Sequence, residues 1–241
     1  MGFTVHEEER LGLNIEICTD DYAESPREWD NLGTMVCWHR RYDLGDEHNH
    51  RASPQEFLED LAKEIDPTID DRLDYWENDG YQRLLSMNGS YESACSWLES
   101  YREKIVEETL DGPHGLIMLP LFLYDHSGIS MSTGSFIGRA QHAEWDSGRV
   151  GFIYATKDAV RKEFGWKKLT KARIRQIEKY LKGEVETYDQ YLQGDVYEYA
   201  ITDDEGNCLD SCCGFYGDED YCLEEARRVA DSIHQDRIMV I

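Results

Sequence analysis

The stretch from Thr170 to Leu192 constrains this chain most, because its apolar positions 174, 177, 181, 185, 188 and 192 step by three or four throughout. That spacing lays one continuous stripe along a helix, and such a stripe has to be buried against another element. Partners of the other periodicity are present. Leu13, Ile15 and Ile17 alternate with polar residues, as a half-buried strand does. Tyr197, Tyr199 and Ile201 repeat the pattern after the long helix. Thr34–Trp38 and Val150–Tyr154 read as further short strands, and Leu116–Tyr124, apolar on both faces, as a central one.

Punctuation places the remaining helices. Ser53-Pro54-Gln55-Glu56 is a capping box with Pro at the first helical position. It opens a helix with Phe57, Leu58, Leu61, Ala62 and Ile65 inward, and Asp66-Pro67 repeats the start signal. A third helix runs from about Ser90 to Leu110, where Asp111-Gly112-Pro113 stops it. Thr156 caps a short helix ending near Gly165, and a last helix covers about Glu219–His234. Asp203–Asn207 is a hairpin-type turn, Ile238–Ile241 is read as an edge strand, and Ser127–Ser147, rich in Gly and Ser, as a long loop. Strands and helices neither alternate regularly nor repeat. The expectation is an α+β fold: a mixed or antiparallel sheet with several amphipathic helices packed on it, one domain over 1–241, with a helical insertion about 53–110.

Of 241 residues 40% are hydrophobic, enough to build a core. No run of 18 apolar residues exists, and Pro120 breaks the greasiest stretch, so no membrane span is expected. The start of the chain lacks a basic region followed by an apolar one, and His6 stands where a myristoylation signal needs Ser or Thr. The reading is a cytoplasmic protein. Seven cysteines, an odd number, then read as reduced thiols. Cys208 and Cys212 have zinc-like spacing, but Cys213 directly follows, Cys222 stands apart on a helix and the next His is His234, so buried or half-buried thiols are favoured over a metal site. No cofactor is expected: phosphate-binding glycine loops, the dinucleotide fingerprint, His-Glu-x-x-His and Cys-x-x-Cys pairs are missing from the sequence.

Charge is the outstanding quantity. Against 25 basic residues stand 50 acidic ones, a net of −25, which repels nucleic acid and anionic membranes and attracts cationic surfaces. Lys157–Lys182 inverts the pattern with ten Lys/Arg against three acids; internal pairing with acidic neighbours is the expectation there, and direct nucleic-acid binding is not expected. Two rows of carboxylates fall at helical pitch: Asp66, Asp70, Asp74 and Glu77, then Glu92, Glu99, Glu103 and Glu107. Such rows imitate the regular charges of a nucleic-acid strand and could occupy the basic groove of a nucleic-acid-binding protein. The plainer readings are solvated helix faces, diluted by Arg72, Arg102 and Lys104, or a salt-adapted composition with 24 Asp beside 9 Lys.

Two clusters could carry chemistry. Asp125-His126-Ser127-Gly128 sits where the apolar strand exits into the long loop, and Asp125 and His126 would supply acid–base work, with His39 and Asp46 as further members. Adjacent residues do not make a triad, which is spatial, and a strand-end turn explains them equally. Asp46, His48 and His50 alternate as metal ligands on one strand face could, with no further ligand fixed by the sequence.

Ser25–Met35 (SPREWDNLGTM), Leu119–Gly128 (LPLFLYDHSG), Trp145–Tyr154 (WDSGRVGFIY) and Cys213–Gly217 (CGFYG) resemble segments of a family of bacteriophage and mobile-element proteins. The similarity covers most of the chain outside about 50–110 and brings no functional residues with it. It implies a viral or mobile-element origin, and with it a protein that disarms or redirects a host system. The expectation is a non-catalytic counter-defence protein of the anti-CRISPR or antirestriction kind, whose partner is a basic host nuclease or CRISPR effector. The alternatives are a small phage enzyme acting on a nucleotide or nucleic acid, and an adaptor that forms a homodimer through exposed aromatics.

Overall fold

In a computed structural model of the protein the described residues are 2–48, 53–75, 82, 86 and 91–239. They form an α+β fold with two antiparallel sheets and, among the described residues, seven α-helices. The strands are β1 (Thr4–Arg10), β2 (Leu13–Thr19), β3 (Thr34–Cys37), β4 (Leu116–Asp125), β5 (Ile129–Ser132), β6 (Ser147–Thr156), β7 (Val196–Thr202) and β8 (Cys208–Tyr216). The helices are α1 (Pro54–Ile65), α2 (Ile69–Tyr75), α3 (Tyr91–Asp111), α4 (Ala143–Asp146), α5 (Lys157–Phe164), α6 (Lys171–Gln193) and α7 (Glu219–Met239). Two compact units emerge: a first of Met1–Asn31, Leu121–Arg149 and Lys182–Ile241, and a second of Leu32–Pro120 and Val150–Leu181.

The first unit is built on the sheet ordered β1-β2-β7-β8. Leu13, Ile15 and Ile17 of β2 and Tyr199 and Ile201 of β7 pack on Cys222, Leu223, Ala226 and Ala230 of α7. The period of two on the strands meets the period of three to four on the helix. β1 carries no alternation of its own, because Glu7-Glu8-Glu9 makes both faces polar. It pairs with β2 through a two-residue turn at Leu11 and Gly12, both at positive φ (55° and 75°), the conformation that matches the twist of a hairpin. Leu11 accepts a backbone state that disfavours a side chain.

At the other edge β7 and β8 form the expected hairpin around Asp203, whose carboxylate accepts from the Glu205 and Asn207 backbone N–H groups at 3.0 and 2.8 Å. Ile238 does not belong to an edge strand: no Gly or Pro interrupts Glu219–Met239, and the helix runs on through Ile238, which is exposed. Residues 240–241 lie outside the described residues.

In the second unit the capping box is formed as read. Ser53 Oγ accepts from Glu56 N at 3.3 Å and Glu56 Oε2 from Ser53 N at 2.8 Å. Phe57, Leu61 and Ala62 of α1, Ile69 of α2 and Ile105, Val106 and Leu110 of α3 share one core with Val36 of β3, Leu116 of β4 and Phe152 of β6. β3 lies against β6 so closely at Gly151 that an added Cβ would stand 1.9 Å from the Val36 carbonyl oxygen. Thr156 caps α5 and Gly165 ends it in the left-handed conformation at φ 63°. α6 contributes residues to both units, and its predicted stripe is inward, with Ile177 and Leu181 buried in the second unit and Val185 and Tyr188 in the first.

The second sheet is ordered β3-β6-β4-β5, and β4 and β6 contribute residues to both units. Leu116–Asp125 is an interior strand, yet Met118 is exposed, so its two faces are unequally covered. Ser127–Ser147 is not one long loop. Residues 126–128 turn tightly, with the His126 N–H donating to Gly128 O and Ser127 at φ 60°, and β5 returns antiparallel to β4 with Met131 buried. Ile129 and Met131 alternate with serines, a strand pattern diluted by its small residues. α4 then leads into β6.

Candidate functional site

The two carboxylate rows fare differently. Ahead of α2, where α1 ends, the Asp66 carboxylate accepts from the Thr68 N–H and hydroxyl at 3.0 and 2.7 Å, which fixes the turn between the two helices. Asp70 pairs with Lys63 at 3.5 Å, Asp74 is exposed, and Glu77 lies outside the described residues. On α3, nothing is described of the Glu92 side chain, whereas Glu99, Glu103 and Glu107 are exposed at steps of four. The cations on the same helix are engaged elsewhere: Arg102 reaches Glu59 of α1 at 2.8 Å, and Lys104 lies 3.9 Å from Glu108. No ion pair neutralises Glu99, Glu103 or Glu107 among the described residues. Successive members of this ridge rise about 6 Å along the helix.

The surplus charge is distributed otherwise than these rows suggest. The second unit, which carries both rows, has 17 basic and 22 acidic residues, a net of −5. The first unit has 8 basic and 28 acidic residues, a net of −20. Within it Glu8 of β1 meets Arg227 of α7 at 2.8 Å, and Arg10 meets Asp231 at 2.7 Å. The hydrogen bonds from Arg227 outweigh burial and hold the Glu8 carboxyl down at about 2.

The basic segment does not neutralise itself internally as expected. Lys157 donates to the Asp111 and Gly112 carbonyls, both at 2.9 Å, and Arg161 to Pro113 O at 2.7 Å, so two cations close the C-terminal end of α3. Burial lowers the Lys157 pKa. Arg161 also pairs with Asp158, which His114 contacts at 2.9 Å, and Lys182 lies 3.4 Å from Glu186. Lys162, Lys167, Lys168, Lys171, Arg175 and Lys179 are exposed, and no ion pair involves them among the described residues. Sequence distance misled here: the three acids within the segment are too few to pair with its ten cations.

Of the residues considered for catalysis, Asp125 and His126 belong to the first unit, His39 and Asp46 to the second. His126 Nδ1 lies 2.9 Å from Asp146 Oδ2. A carboxylate only accepts, so Nδ1–H is the donor in this contact, which leaves Nε2 as the ring nitrogen not engaged by Asp146. The ring stacks on Tyr124, with centroids 5.8 Å apart, and His142 stands at 6.0 Å. His142 is itself at φ 56°, an uncommon state for a side-chain-bearing residue. Asp146 and His142 were not legible as partners of His126, because they lie 20 and 16 positions away and meet only where β4 and β6 bring their ends together. The chemistry within reach is proton abstraction or donation at an open surface: the two side chains of the pair are 41% and 32% exposed.

Asp46 is bound into the fold. Its carboxylate accepts from Met35 N at 2.8 Å and its own N–H donates to Met35 O at 2.8 Å, which ties residues 45–46 to β3. His48 Nε2 hydrogen-bonds Cys37 O at 2.8 Å, and His50 lies outside the described residues. His39 stacks on Tyr42 with ring centroids 5.0 Å apart. Residues 37–39 and 42–48 line an open cleft of roughly 670 Å³.

In the first unit a cleft of roughly 340 Å³ between β5 and the second half of α6 holds Arg139, Lys182 and Asp189. Asp189 accepts from Met131 N at 2.6 Å and Gln193 Nε2 at 2.8 Å, and burial raises its pKa. It anchors β5. No three His, Cys, Asp or Glu residues gather as metal ligands among the described residues. Cys208, Cys212 and Cys213 lie exposed on β8, while Cys222 is buried on α7, where desolvation pushes its thiol up to about 12.

The site and fold thus define an α+β protein with two antiparallel sheets, an open His–Asp pair and an exposed carboxylate ridge on α3 that no ion pair engages among the described residues. Among the described residues no helix is long and apolar enough to cross a membrane. Comparison with protein-family models, curated proteins and solved structures finds no match to this chain.

Proposed function

We propose that the protein works by stoichiometric binding: its exposed carboxylates occupy a basic, nucleic-acid-binding surface of a host protein such as a nuclease or CRISPR effector. The observation that carries this reading is the ridge Glu99–Glu103–Glu107, displayed to solvent while the neighbouring Arg102 and Lys104 are turned to Glu59 and Glu108. Carboxylates about 6 Å apart along one helix present a cationic groove with charges on the length scale of a phosphate backbone. A net charge of −25 adds attraction at a distance and speeds the encounter. The resemblance to phage and mobile-element proteins supplies the biological direction, counter-defence against restriction or CRISPR systems. Affinity capture from a host lysate at low and high salt is the test. The triple variant Glu99→Gln/Glu103→Gln/Glu107→Gln is expected to lose the captured partner, and wild-type capture is expected to fade with salt. Capture indifferent to both salt and the triple variant would sink the proposal.

A second reading draws support from the His126–Asp146 pair at 2.9 Å: acid–base chemistry on a nucleotide or nucleic acid, with His126 as the base and Asp146 holding its tautomer. His126→Ala is then expected to abolish hydrolysis of labelled oligonucleotides while leaving partner capture intact. Equal turnover by variant and wild type, or none by either, removes the catalytic reading.

A further inference from the structure

The first turns of α6 carry cations where a helix least favours them. The N-terminal end of a helix is positive, its first turn here holds no acid, and Lys171 and Arg173 stand on it. Lys171, Arg175 and Lys179 follow at steps of four, a stripe about 12 Å long, and Lys167 and Lys168 continue it into the connection from α5. None of these five has an ion-pair partner among the described residues. Between Lys162 and Lys182 the chain itself carries two carboxylates, Glu163 and Glu178, too few to cancel them.

The connection is held in place. Arg173 lies over the Trp166 ring at 4.7 Å and donates to Lys168 O at 2.7 Å, while Phe164 stacks on Trp166 at 4.7 Å and meets Tyr180 edge-on at 6.0 Å. Tyr180 remains 56% exposed beside the stripe. Unpaired cations at a helix start raise the energy of the free fold, so a ligand that neutralises them recovers it.

We propose that this α5–α6 surface binds single-stranded nucleic acid, with phosphates along Lys167, Lys168, Lys171, Arg175 and Lys179 and a base stacked on Tyr180. Exposed aromatics set among cations are how proteins hold single strands without reading sequence. A second copy of the chain also offers complementary charge. Docking its acidic surface here, however, makes a head-to-tail contact that propagates or has to close a ring, and a two-fold contact would set cation against cation. The acidic remainder of the molecule slows the approach of a polyanion. At physiological ionic strength, though, charges beyond about 8 Å are screened, and a strand in contact feels the patch first. The inference is independent of the α3 ridge, since the two residue sets do not overlap.

Fluorescence anisotropy of the full chain with a labelled single strand of about 20 nucleotides tests it, as DNA and as RNA, over a salt series. Wild type is expected to bind at low salt with a log–log salt slope of about −3, from four or five neutralised phosphates. Lys167→Glu/Lys171→Glu/Arg175→Glu is expected to abolish binding with the circular dichroism spectrum retained. Tyr180→Ala is expected to weaken it about tenfold. Should the triple variant fail to fold, Lys171→Ala alone is expected to shallow the slope by about 0.7. No binding by wild type at low salt overturns the proposal. So do unchanged binding by the folded charge-reversal variant, equal affinity for a duplex of the same length, and light scattering that assigns the signal to self-association.

Discussion

Glu8 shows how a single residue couples the sheet of the first unit to its helix. Its side chain lies on the α7 side of β1, and Arg227 holds it by two hydrogen bonds that keep its carboxyl at about 2, below the ordinary 4.5. A depressed carboxyl favours the folded state wherever it is ionised in both states. Its contribution is therefore complete above about pH 4.5 and is lost as pH falls toward 2. The pair is partly solvated, with Arg227 39% and Glu8 20% exposed, so the contribution is less than about 1 kcal/mol. Glu8→Gln is expected to lower stability by that amount at neutral pH and to match wild type near pH 2, measured by urea unfolding across the range. A gap that persists unchanged in acid contradicts this assignment.

At the scale of one element, α3 separates stability from recognition. Glu99–Glu103 and Glu103–Glu107 are like-charge pairs at i,i+4, each of which destabilises a helix by about 0.2–0.5 kcal/mol. If the ridge exists for a partner, the triple glutamine variant is expected to gain about 0.5–1 kcal/mol in unfolding free energy while partner capture falls. A loss of stability on the same substitution would mean that these carboxylates serve the fold. Elements also differ in how openly the sequence announced them. The capping box at Ser53, the Thr156 cap and the stripe on α6 are local signals, and they hold. β1 and β8 are edge strands written in Glu, Cys, Ser and Gly, and β5 in serine; their place in a sheet comes from neighbours such as Ile15, Tyr199 and Leu123 across the ladder, which no local pattern reports.

For the whole molecule, charge dominates. A net of −25, with −20 in the first unit, makes self-repulsion a standing cost of the compact state. The cross-element ion pairs such as Arg10–Asp231 act in the opposite sense but are exposed and weak. Raising salt from about 0.02 to about 0.5 M screens both; repulsion is the larger, and Tm is expected to rise by several degrees in differential scanning. A falling Tm would put the ion pairs ahead of the repulsion.

The sequence by itself determined the fold class, most helix boundaries and the acidic balance, because periodicity, caps and counts are local or additive. Only the tertiary structure decided which charges stay uncompensated. It bound Asp66 into a turn, paired Asp70 with Lys63 and tied Asp46 to β3. It left Glu103 and Lys171 to solvent and joined His126 to Asp146 across 20 positions. Electrostatic partnership depends on a few ångströms of separation in space, and distance along the chain says little about that.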